Sequence, residues 1–76
     1  MRDDHDALTV RELDVLRLIA AGRSSKQIAL RLGIARSTVS THVSTILLKL
    51  GASNRTEAAV IAVRDGIIEP ASRHDG

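Results

Sequence analysis

The 76-residue chain has no cysteine, no phenylalanine, tyrosine or tryptophan, and a single proline. Without cysteine, neither disulfides nor thiolate metal sites can reinforce so small a domain. A chain of this length hides only roughly 60% of the surface its unfolded form exposes, so one modest core, helped by a partner, is what the length permits. The missing aromatics exclude the stacking platforms on which single-strand binders and RNA-reading sheets hold bases. No apolar run approaches the ~20 residues of a bilayer-spanning helix, and the start Met1-Arg-Asp-Asp-His-Asp6 is too acidic for a signal peptide. A cytoplasmic protein without membrane contact is expected.

One sign of charge is also absent from the middle of the chain. From Arg23 to Thr56 there is no Asp or Glu, while Arg23, Lys26, Arg31, Arg36, Lys49 and Arg55 all fall there. The ends are acidic, with a net −2 over residues 1–6 and −1 over residues 69–76, which leaves +5 on residues 7–68. A basic centre between acidic ends suits a polyanionic partner. With no ring to stack on a single strand, double-stranded DNA fits best.

Helix signals organise that centre into a compact all-α domain of four helices, about 9–21, 25–32, 36–50 and 55–65. Thr9-Val-Arg-Glu12, Ser24-Ser-Lys-Gln27 and Asn54-Arg-Thr-Glu57 each read as a capping box, in which a hydroxyl or amide caps the helix and the fourth residue reaches back. Gly22, Gly33 and Gly66 stand at the expected stops. In the first helix Leu13, Leu16, Ile19 and Ala20 share a face; in the second, Ile28, Ala29 and Leu32 turn inward while Leu30 points away. The third has the sharpest pattern, with Val39, Val43, Ile46, Leu47 and Leu50 within about 100° of arc. A folded domain is expected over 7–68, between an acidic disordered leader at 1–6 and a mobile tail at 69–76.

Two short amphipathic helices hinged at Gly33 in a basic segment form a helix-turn-helix, a motif that lays its second helix in the DNA major groove. Ser40, Thr41 and Ser44 lie opposite the apolar stripe of that helix and are the expected base-reading residues. Such hydroxyls donate or accept, and the threonine methyl touches a thymine methyl, so moderate specificity follows. Arg23, Lys26, Arg36, Thr38, His42, Lys49 and Arg55 are the expected phosphate contacts, joined by Ser24 and Ser25 at the start of the second helix. The fourth helix is apolar around its circumference at Ala58-Ala-Val-Ile-Ala-Val63. One side packs inward; the other, through Ala59, Val60 and Val63, is expected to meet a second copy in a homodimer.

These residues resemble the DNA-binding domain of LuxR/FixJ-type bacterial transcription regulators. The likeness runs from Leu8 to Gly66, through Leu8-Thr-Val-Arg-Glu-Leu-Asp-Val-Leu-Arg-Leu-Ile-Ala-Ala-Gly22, Ser25-Lys-Gln-Ile-Ala29, Leu32-Gly-Ile34, Thr38-Val39, His42-Val43, Lys49-Leu-Gly51 and Asn54-Arg-Thr-Glu-Ala58. It implies a four-helix domain whose third helix enters the major groove, whose second crosses the backbone, and whose fourth supplies a dimer contact. Members of the family usually carry a receiver or ligand-sensing domain ahead of the module, which this chain does not contain, although some are little more than the module itself. The chain departs from the family pattern in carrying Ala35 where a serine cap is common, Ser40 and Ser44 where lysines are common, and Gln27 for a usual glutamate.

Catalysis finds no constellation. Of the three histidines, His5 and His74 fall in the expected tails, and His42 and Ser44, two apart, point about 200° away from each other on a helix. No enzyme activity, metal site or cofactor is expected. The competing class is a protein-interaction module that keeps the fold without the DNA role, a reading carried by Ser40, Ser44 and the apolar fourth helix.

Overall fold

Thr9 and Ser24 each hold an extended backbone just before a helix, and each closes its capping box in full. Thr9 Oγ1 accepts from the Glu12 amide at 3.1 Å while the Thr9 amide donates to Glu12 Oε1 at 2.9 Å; Ser24 and Gln27 repeat the exchange at 3.1 and 2.9 Å. These reciprocal bonds satisfy amides that a helix start leaves without partners. A computed structural model describes residues 7–69, so the expected leader at 1–6 and the tail beyond Glu69 lie outside the described residues. The elements are α1 (Val10–Ala20), α2 (Ser25–Leu32), α3 (Arg36–Leu50) and α4 (Arg55–Arg64), within one residue of the expected bounds. Among the described residues there is no strand, and the architecture is all-α.

The third box forms by half. Asn54 Oδ1 accepts from the Glu57 amide at 2.8 Å, but the Glu57 carboxylate takes the amide of Ser53, one residue before the cap. An extended Asn54 with ψ of 175° presents the preceding amide to the carboxylate. At α3 the cap residue is Ala35, and no side chain caps the helix.

α1 packs on α4 and α3, and α2 packs chiefly on α3. Val15, Leu16, Ile28, Val39, Ile46, Ala58 and Ala62 have no exposed surface, and Ile19, Ala29 and Ile68 complete the core. The two alanines let α4 approach α1 and α3 closely. In α1 the buried face differs from the expected one: it is centred on Glu12, Val15, Leu16 and Ile19, while Leu13 and Ala20 are half-buried along its edge. The rotation brings a carboxylate to the core margin, which requires a cation from elsewhere.

Candidate nucleic-acid interface

Gly33 turns α2 into α3. Its φ of 68° is left-handed, and its amide and that of Ile34 both donate to the Ala29 carbonyl, the latter at 3.0 Å. A residue with a Cβ resists that backbone, so the reversal falls where glycine is. Ala29 is itself buried where α2 lies against α3.

α3 is anchored by Val39 and Ile46, both fully buried, with Val43, Leu47 and Leu50 packed partly against the core. The opposite side is open. Ser37, Ser40, Thr41 and Ser44 are all exposed. Helical spacing puts Ser37, Thr41 and Ser44 in one row at i, i+4 and i+7, with Ser40 beside it on the flank that begins at Arg36. The Thr41 hydroxyl donates to the Ser37 carbonyl at 3.1 Å, which fixes the side chain and leaves its oxygen lone pairs as acceptors. Ser37 belongs to this row although pattern reading had left it out of the base-reading set.

The expected phosphate contacts divide. Arg23, Ser24, Lys26, Arg36 and Thr38 are exposed on the α2 and α3 sides of the turn, and His42 is half-buried on the flank. Two amides at the start of α2, those of Ser25 and Lys26, have no hydrogen-bond partner among the described residues, because the capping box serves Ser24 and Gln27. Arg55 is drawn into the fold: its guanidinium donates to Ser25 Oγ at 2.9 Å and to the Arg23 carbonyl at 2.7 Å, tying the start of α4 to the start of α2. Arg55 and Ser25 thus position the turn that displays Arg23 and Lys26.

Lys49, expected at a phosphate, has a partner within the fold. Its ammonium lies 2.8 Å from Glu12 Oε1 and 3.1 Å from the Ala7 carbonyl, with a side chain only 20% exposed, so it closes α3 onto the start of α1. The physical reason is Glu12: a carboxylate side chain 8% exposed needs a counter-charge, and Lys49 is the cation within reach. Burial raises the Glu12 pKa, but the hydrogen bond and charge of Lys49 together with the Thr9 amide outweigh it and hold the carboxyl below its ordinary value. The burial of Glu12 has a signal in the sequence, since Glu12 shares the buried face of Val15, Leu16 and Ile19 at i+3, i+4 and i+7; the identity of its counter-charge has none.

On α4, Val60 is 57% and Val63 36% exposed, and Ala59 is half-buried. Among the described residues no group of three or more histidines and carboxylates is placed to hold a metal ion, and no helix is long and apolar enough to cross a membrane. A surface depression of about 850 Å³ lies between the ends of α1 and α4 and is lined by Arg17, Ala20, Ala21 and Val63 with the turn after α4.

Comparison with known proteins places this arrangement. The profile of the family described as bacterial regulatory proteins, luxR family, matches residues 6–62. The transcriptional regulatory protein YvfU of Bacillus subtilis is 48% identical over 68 residues, covering 90% of this chain and 34% of its own length. The structure of the transcription factor GerE superposes with a TM-score of 0.73 at 37% identity, covering 78% of this chain and 88% of that one. The VqmA dimer of Vibrio cholerae, a LuxR-type receptor solved in the absence of its target DNA, gives a TM-score of 0.74 at 28% identity over 86% of this chain and 30% of that one. The chain therefore spans about a third of the length of the curated relatives it matches.

Proposed function

The chain belongs to the luxR family of bacterial regulatory proteins, and from that premise we propose that it binds double-stranded DNA sequence-specifically as the output domain of a transcription regulator. α3 enters the major groove. The observation that carries this is the exposed row of Ser37, Thr41 and Ser44, backed by fully buried Val39 and Ile46, in a segment without one acid whose Arg23, Lys26 and Arg36 are also exposed. Ser40, Thr41 and Ser44 face base edges; Arg23, Lys26, Arg36, Thr38, His42 and the free amides at the start of α2 hold phosphates and set the register.

A second copy docks through Ala59, Val60 and Val63 of α4, giving a homodimer suited to paired half-sites. A receiver or ligand-sensing domain belongs to the larger regulator, in keeping with relatives about three times as long as this chain. The setting is the bacterial cytoplasm, where the DNA is.

The test is binding to a duplex of arbitrary sequence as salt is raised. With Lys49 paired to Glu12 and Arg55 to the turn, three of the five cations expected at phosphates are left free, and log affinity falls against log salt with a slope near −2.7. Failure to shift a duplex at low salt, or binding indifferent to salt, overturns the reading.

A further inference from the structure

Leu48 is the most exposed large apolar side chain among the described residues, at 82%. Its place on α3 is what distinguishes it. Counting from Ser37, the positions Thr41, Ser44 and Leu48 follow at four, seven and eleven residues, which is about three helical turns, so all four lie in one row about 16 Å long. Val10 and Leu30 are 77% and 74% exposed, but they stand on α1 and α2 and not on α3.

The surroundings of Leu48 define what it meets. α3 carries two cations, Arg36 at its start and Lys49 beside Leu48, and Lys49 is held by Glu12 and the Ala7 carbonyl. The C-terminal end of the row therefore offers no free positive charge from α3 to a phosphate. Leucine cannot hydrogen-bond a phosphate or a base edge. On the major-groove floor, the one feature an aliphatic side chain recognises is the 5-methyl group of thymine.

We propose that Leu48 is a further specificity-determining residue, reading a thymine methyl at the outer edge of the half-site that Thr41 and Ser44 read at its centre. The proposal rests on α3 lying in the major groove. It extends the reading strip by one turn and gives a chain poor in base-reading amides and guanidiniums a shape-dependent preference at its flank.

The test begins with duplexes selected from a random pool by the 76-residue chain. Each thymine is then replaced singly by deoxyuridine, which pairs identically but lacks the methyl. One flanking replacement is expected to weaken binding about fourfold, the value of a single lost methyl contact. The same replacement has no effect on Leu48→Asn, whose folding is unaffected because the side chain is exposed. Two results overturn the role of Leu48 alone: an equal deoxyuridine penalty in both proteins, or a loss of affinity by Leu48→Asn that is uniform over all duplexes, as a backbone or protein contact would give. Absence of any enriched duplex overturns instead the groove-docking reading beneath it.

Discussion

Glu12 is the single buried charged side chain among the described residues, and its partner Lys49 comes from 37 positions away. Its folded pKa lies below the ordinary carboxylate value of 4.5, so the stability it contributes is present above that value and is lost as pH falls through the lower folded one. Between pH 7 and pH 3, thermal melts of the unaltered chain should therefore lose more stability than those of Glu12→Gln. Lys49→Met leaves the Glu12 carboxylate without its counter-charge and should cost about 3 kcal/mol in urea unfolding. It should leave the salt slope of DNA binding unchanged. A slope shallower by about 0.9, with stability intact, would return Lys49 to the phosphates. The capping role of Glu12 was legible because Thr9 stands three residues before it; the ion pair was not, because a 3.6-residue period says nothing about which helix lies opposite.

The four helices were legible at their ends more than along their faces. Caps are local chemistry, written within four residues, so Thr9, Ser24 and Gly33 announced their elements directly. Faces depend on neighbours: Val15 displaced Leu13 from the core once α1 settled on α3 and α4, and Glu57 reached past Asn54 to Ser53 once the loop took its extended form. α3 is the element whose start is weakest. Ala35 already holds the extended backbone of an N-cap, with φ −72° and ψ 152°, but has no oxygen to offer. Ala35→Ser should stabilise the fold by about 1 kcal/mol, measured as a shift in the urea midpoint at constant slope. No gain would mean that the α3 amides are already satisfied in solution.

Among the described residues, Arg23, Lys26 and Arg36 are exposed around α2 and α3, and exposed Val60 and Val63 lie on α4. On the proposed reading, DNA meets α3 and the start of α2 while a second copy meets α4, so the two contacts use different elements. The charge segregation was plain in the sequence, and so was the apolar surplus of α4; which of its residues stay outside depended on Ala58 and Ala62 taking the inner side. At 57% exposure Val60 contributes little to the fold, so Val60→Glu should leave the melting transition in place. It should weaken binding to a duplex with two inverted half-sites by on the order of 100-fold, the avidity lost when two linked contacts become independent, with little effect on a single half-site. Equal affinities for the paired site before and after the change would assign dimer contact to another surface.

Contact between the outward row of α3 and the major groove is read by a residue-resolved NMR titration of the chain with duplex DNA. The largest amide shifts should fall on residues 36–48 and at the start of α2, with Val15, Leu16 and the Glu12–Lys49 contact undisturbed. Shifts concentrated on α1, with Ser37, Thr41 and Ser44 silent, would contradict it.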